Sequence, residues 1–110
     1  MPRLNVQIQP TRANNRTADE LIAYLRAAAD GVALQLQGVE HGDEEGPYIN
    51  LSFAAADRAA GWSRLRGRFD DSEIGQAVAS ATIVVCEGER GWDDYLLLHH
   101  FDPDEKLDQI

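Results

Sequence analysis

Segment 86–95 (CEGERGWDDY) holds a thiol, four carboxylates and a phenol, the richest set of reactive side chains in the chain. Paired carboxylates can divide the roles of general acid and general base when their environments differ. Here the glycines at 88 and 91 indicate a hairpin tip, where water would screen the charges. Cys86 ends an apolar run, which is typical of a small core residue rather than a nucleophile. The sequence also contains no HExxH, CxxC or glycine-rich phosphate-binding motif, so we assign no catalytic residue here.

Two adjacent histidines, His99 and His100, are the next candidates for chemistry. A metal site needs ligands that converge on one point. Neighbouring side chains of a strand point to opposite faces, so these two imidazoles are poorly placed to share an ion. His99 could instead bind a metal together with His41 or Asp102, but the spacing of these residues in the sequence matches no metal-binding motif. We therefore expect neither a metal nor a cofactor.

Three strand-like segments, 4–9 (LNVQIQ), 32–37 (VALQLQ) and 48–53 (YINLSF), alternate apolar residues with uncharged polar ones. Because successive side chains of a strand point to opposite faces, each segment has an apolar face and a polar face. The polar faces collect uncharged amides and a hydroxyl: Asn5, Gln7, Gln9, Gln35, Gln37, Asn50 and Ser52. Amides both donate and accept hydrogen bonds. This amide face therefore suits a bound polar ligand, a second subunit or ordinary hydration.

The elements that position this face follow from periodicity and turn residues. Residues 17–20 (TADE) form a capping box, and apolar residues then recur at helical spacing until Asp30-Gly31 ends the helix. Residues 14–15 (NN) indicate a turn within a loop over 10–16. The polar segment 38–47 is predicted as a loop too short for a crossover helix, so the strands on either side of it should be antiparallel neighbours.

Residues 54–69 fit two patterns. Trp62 and the arginines at 64, 66 and 68 fit the alternation of a strand. The apolar residues of the segment instead recur at helical spacing and would form one stripe of a helix: Ala55, Ala59, Trp62, Leu65 and Phe69. We predict a helix over 56–66, and a second one that starts at 70–73 (DDSE) and ends near residue 80. The arginines superficially resemble a nucleic-acid stripe, but we expect them to pair with acids of this chain.

The C-terminal part predicts two more strands, over 82–86 and 94–101. In the last strand, alternation puts Tyr95 and His99 on one face and Leu96 and Leu98 on the other. The order β-α-β-β-α-(α)-β-β resembles the ferredoxin-like fold, an α+β class with an antiparallel sheet and helices on one face. We expect one domain over 1–110, with the amide face left open and a short acidic tail over 103–110.

Charge is distributed unevenly along the chain. Residues 1–69 hold eight acids and eight bases, whereas residues 70–110 hold eleven acids against Arg90 and Lys106, so the last third carries the whole net charge of −9. Such a field opposes nucleic-acid binding and suits a basic partner. No signal-peptide pattern and no apolar run of about 18 residues is present, which predicts a cytoplasmic protein without a membrane segment.

These observations favour a non-catalytic binding or regulatory protein that acts as a homodimer through the amide face, with Leu96 and Leu98 buried by the partner subunit. One alternative is an acidic inhibitor or immunity-type protein that masks a basic partner. Another is a small enzyme whose site lies in the lumen of a sheet-paired dimer, with Tyr95 or His99 as the proton donor. The enzyme requires His99 to face the amide side.

Overall fold

The computed structural model describes residues 2–13, 16–31 and 34–110. Within these ranges the elements are β1 (Arg3–Ile8), a 3-10 turn (Pro10–Arg12), α1 (Ala18–Asp30), β2 (Leu34–Asp43), β3 (Pro47–Ala55), α2 (Arg58–Gly67), α3 (Glu73–Ala79), β4 (Thr82–Gly88) and β5 (Gly91–His100). The predicted α+β class is confirmed. The turn predicted at 14–15 and the first two residues of the alternating segment 32–37 lie outside the described residues.

The five strands form one antiparallel sheet in the order β2-β3-β1-β4-β5. β1 is central, with β3 on one side and β4 on the other. The four-stranded ferredoxin-like arrangement is not confirmed, because β5 adds a fifth strand beyond β4 and the full order differs. The helices cover one face of the sheet and leave the other face open.

The core lies between the helices and the covered face. The apolar side chains of β1 are fully buried there, as the alternation of segment 4–9 predicts. Trp62 of α2 and Phe69 meet edge to face at 5.8 Å between ring centroids, and Leu65 between them is fully buried. Burial of this stripe, together with the Asp57 side chain that accepts a hydrogen bond from the amide of Ala60, explains why the segment forms a helix and not a strand. The helix covers 58–67 where 56–66 was predicted.

The other two helices also begin at side-chain caps. The Thr17 hydroxyl accepts a hydrogen bond from the amide of Glu20, 3.2 Å away, which confirms the predicted capping box. The Ser72 hydroxyl accepts one from the amide of Gly75 at 3.1 Å and starts α3. Each cap satisfies one amide of a first helical turn that has no partner within the helix.

The loop predicted over 38–47 is wrong in extent. β2 continues to Asp43, and only residues 44–46 form the turn, with positive φ at Glu45 (56°) and Gly46 (120°). A bulge at Gln37 shifts the register between β2 and β3. An inserted residue reverses which side chains face the core, so Glu40 lies opposite Asn50 and adds a carboxylate to the edge of the amide face.

In the last strand, Leu96 and Leu98 share one face as predicted, but the face predicted for His99 is wrong. Leu97 pairs with Val85 and His99 with Val84, which leaves Leu98 as the extra residue of a bulge. Leu98 is only 4% exposed and belongs to the core, and Leu96 packs against the same core. Both therefore lie on the helix side of the sheet and not beside the amide face.

The acidic tail returns along the outer edge of β5. A turn closes through a hydrogen bond from the amide of Glu105 to the carbonyl of Asp102. The amide of Asp108 then donates to the carbonyl of Leu97 at 2.7 Å, and the amide of Leu97 donates to the Asp108 carboxylate at 2.8 Å. In the part of the chain described, no helix is long and apolar enough to cross a membrane.

Candidate functional site

The open face of the sheet gathers most of the predicted amides. Gln7 lies directly opposite Asn50, and Asn5 lies opposite Ser52. Cross-strand partners share a face and lie within reach of one another. The predicted clustering of these amides on one face of β1 and β3 is therefore confirmed. On β2, Gln35 lies opposite Ala54 on the same face.

Hydrogen bonds connect the amides into two short chains. Asn5 Nδ2 donates to Asn50 Oδ1 at 3.3 Å, and Ser52 Oγ donates to Asn5 Oδ1 at 3.4 Å. Gln9 Nε2 donates to Gln7 Oε1 at 3.2 Å, which places Gln9 on the open face although it follows the last residue of β1. Several amide hydrogens and lone pairs stay free in such a chain, since each primary amide offers two donors and two acceptor sites.

At one end of the open face the amides line a groove of about 460 Å³. Gln7, Gln9 and Asn50 form its polar floor. Arg12 closes one side, where its guanidinium lies 3.8 Å above the ring centre of Phe101 and its Nε donates to Gln9 Oε1 at 2.8 Å. Glu44 and Glu45 also line the groove, so its neutral amides stand beside charged groups of both signs.

The other half of the open face is apolar, which the sequence did not predict. On β4, Val85 lies opposite Asn5 and Ile83 lies opposite Gln7. On β5, Leu97 lies opposite Val85. All three apolar side chains are half-buried although no helix covers them. The apolar run over 82–86 (TIVVC) was the available signal, since it gives this strand apolar side chains on both faces.

Among the residues that the structure describes, charged groups stand only at the margins of this face. At one end the amide of Arg3 donates to the Glu87 carboxylate at 2.8 Å, and Glu40 occupies the β2 edge. Between them the face presents a continuous surface of amides and apolar side chains.

The chain matches no protein-family model, no curated protein and no solved structure. The composition of this surface is therefore the basis for a functional interpretation.

His99 and Tyr95, the two predicted proton donors, are not brought together. His99 lies on the helix side, where its Nε2 donates to the carbonyl of Ala79 at 2.8 Å and its ring lies 5.1 Å from that of Phe69. Burial lowers the pKa of His99, because the uncharged imidazole is favoured there. Tyr95 precedes Leu96 and points to the other face, where it is 57% exposed. The enzyme interpretation needed His99 on the amide side, and that requirement is not met.

The remaining predicted residues have simpler surroundings. Gln37 lies at the β2 bulge and has no partner on β3. Cys86 is fully buried, which confirms it as a core residue, and burial raises the pKa of its thiol. Among the described residues, no group of three or more histidine, cysteine and carboxylate side chains could hold a metal ion.

The four arginines in and just after α2 were predicted to form ion pairs with acids of this chain, and the part of the chain that the structure describes shows one such pair. Arg68 forms an ion pair with Asp71 at 3.0 Å, and both side chains are about half exposed. Arg58 donates to the backbone carbonyl of Glu87. Within the described ranges, Arg64 and Arg66 form no ion pair.

Proposed function

We propose that this protein is a non-catalytic binding or regulatory protein that acts as a homodimer through the open face of its sheet. The observation that carries this proposal is the absence of charge from the centre of that face in a chain of net charge −9. A face intended only for hydration has no physical reason to exclude charged side chains. A face that becomes buried does, because an unpaired charge is costly to remove from water.

The surface also suits pairing with a copy of itself. In a two-fold symmetric dimer each patch meets the same patch of its partner, so the patch must be complementary to itself. Like charges would repel across such an axis. Amides at Asn5, Gln7 and Asn50 can donate to and accept from the same groups of the partner, and Val85 and Leu97 can bury apolar area.

The size of the face sets the strength expected of the dimer. Five strands spaced by about 4.8 Å and about six residues long cover roughly 24 by 20 Å. The projected area is then about 480 Å² per subunit, and two faces together reach about 1,000 Å², the lower range of specific interfaces. We therefore expect a reversible dimer that dissociates on dilution.

Val85→Glu tests the proposal, because it places a carboxylate at the centre of the open face. Light scattering over a range of protein concentration should show a dimer for the wild type and a monomer for this variant. Gln76→Glu is the matched control, since it adds the same charge on the exposed side of α3 and should keep the dimer. Thermal melting of both variants verifies that they fold. A wild type that stays monomeric at high concentration, or a Val85→Glu variant that stays dimeric, would refute the proposal.

A second candidate is the acidic inhibitor or immunity-type protein. It is favoured by one observation: of the eleven acids in 70–110, only Asp71 forms an ion pair with a base among the described residues. The remaining acids leave a negative field that could steer a basic protein. Such a complex should weaken steeply as salt increases, whereas the sheet-face dimer should not.

We also propose a fold type and a cellular location for this protein. We regard the sheet as a ferredoxin-like arrangement extended by β5, since α1 joins β1 to β2 and β3 lies between these two strands. We also propose a cytoplasmic location, which a single unpaired cysteine supports.

A further inference from the structure

We propose that a second groove, between α2, β5 and the tail, binds a small carboxylate that carries an apolar body. This site lies on the helix side of the sheet and is independent of the proposed dimer. The groove measures about 480 Å³, within the range of about 300–1,000 Å³ typical of small-molecule sites. We call it the tail groove.

Three elements build the walls of the tail groove. Residues 59, 62, 63 and 66 of α2 follow the i, i+3, i+4, i+7 spacing of one helical face and all line it. Leu98 and His99 of β5 form the opposite side, and residues 107–110 of the tail complete it. The tail is held there by the paired hydrogen bonds between Asp108 and Leu97.

Part of the lining of the tail groove is apolar. Trp62 is 7% exposed and Leu98 is 4% exposed, so both present a packed surface with a small accessible area. On the tail side, Leu107 and Ile110 are 45% and 41% exposed, although both line this groove. A ligand with an apolar body would cover these exposed side chains and gain from the removal of apolar surface from water.

Arg66 supplies the group that selects a carboxylate. Its guanidinium has five donors and no acceptor, and it forms no ion pair or side-chain hydrogen bond in the part of the chain described. Arg66 and His99 both line the tail groove, so the guanidinium and the imidazole border the same space. The fork of an arginine matches the two oxygens of a carboxylate.

A carboxylate in the lining of the tail groove is already engaged. Asp108 lines the tail groove, but its Oδ2 accepts the hydrogen bond from the amide of Leu97 at 2.8 Å and holds the tail in place. Ser63, one turn before Arg66 on the same face of α2, adds a hydroxyl that can donate to the second oxygen of a ligand. The lining of the tail groove thus combines apolar side chains with the guanidinium of Arg66 and the hydroxyl of Ser63.

The experiment uses Trp62 as its own reporter. The chain has two tryptophans, so Trp92→Phe leaves Trp62, in the lining of the tail groove, as the only one. The probe is 4-iodobenzoate, whose heavy atom quenches tryptophan fluorescence on contact. We expect saturable quenching in this background. Arg66→Gln should weaken the binding about fivefold, as expected of one partly solvated ion pair.

Two controls separate the proposal from a general effect of charge. Arg64→Gln removes an exposed arginine of the same helix that does not line the groove, and it should leave the affinity unchanged. The neutral analogue 4-iodobenzamide, tested on the Trp92→Phe protein, should bind more weakly than the carboxylate. Quenching that rises linearly without saturation, equal losses in the two arginine variants, or equal binding of acid and amide would each overturn the proposal. None of these outcomes depends on the oligomeric state, so failure here is distinguishable from failure of the proposed dimer.

Discussion

Gly75→Ala places helix propensity and tertiary packing in direct opposition. Gly75 lies in the first turn of α3, where alanine in place of glycine would ordinarily stabilise a helix by about 0.5–1 kcal/mol. The structure predicts the reverse. A Cβ at this position would lie 2.2 Å from the carbonyl oxygen of Arg68 and 3.0 Å from the Tyr24 hydroxyl. That hydroxyl donates to the same carbonyl at 2.6 Å, so the new methyl group would intrude on an existing hydrogen bond.

The expected cost follows from these distances. Real Cβ contacts essentially never fall under 3.0 Å, so α3 must move away from the carbonyl of Arg68 by roughly 1 Å. Such overpacking costs about 1–3 kcal/mol, and loss of the Tyr24 hydrogen bond adds about 1 kcal/mol. After the gain in helix propensity is subtracted, we expect the free energy of unfolding to fall by about 2 kcal/mol. The melting temperature should then fall by about 8 °C.

Urea unfolding followed by circular dichroism measures this change. Gly67→Ala is the matched control, because Gly67 ends α2 and a Cβ there would meet no heavy atom within 4 Å. This control should be neutral or more stable by up to about 1 kcal/mol. Tyr24→Phe isolates the contribution of the hydrogen bond. If Gly75→Ala is as stable as the wild type while Gly67→Ala behaves as expected, then the close approach of α3 to Arg68 is incorrect.

Two further predictions concern buried polar groups. Thr82 is fully buried and its hydroxyl has no partner among the described residues, so Thr82→Val should raise the free energy of unfolding by about 1 kcal/mol. A lower urea midpoint for that variant would show instead that the hydroxyl is hydrogen-bonded. The lowered pKa of His99 means that the unfolded chain binds a proton more readily than the folded one. The stability from this residue is therefore present above the unfolded pKa of about 6.5 and is lost as pH falls through that value. Compared with the wild type, His99→Gln should lose less stability between about pH 7.5 and pH 5.5. Parallel pH curves for the wild type and His99→Gln would contradict this reasoning.

The sequence by itself predicted the amide half of the candidate site. Alternation within a single strand is a local property, and it placed Asn5, Gln7 and Asn50 correctly on one face. Capping residues and helical spacing likewise predicted the start of α1, because the groups involved are separated by only three or four positions. They also favoured a helix over a strand in segment 54–69.

Only the tertiary structure decided the remainder of the site. β2 has one inserted residue at Gln37, and β5 has one at Leu98. After each bulge, the side chains that alternation would place on one face of the sheet lie on the other. A bulge is set by the register of the neighbouring strand, which lies far away in the chain, so alternation within one strand carries no information about it. For this reason His99 was assigned to the wrong face. Leu96 and Leu98 were assigned to the amide side because alternation separates two faces without showing which of them the helices cover. The apolar half of the open face became visible only when β4 and β5 were placed beside β1.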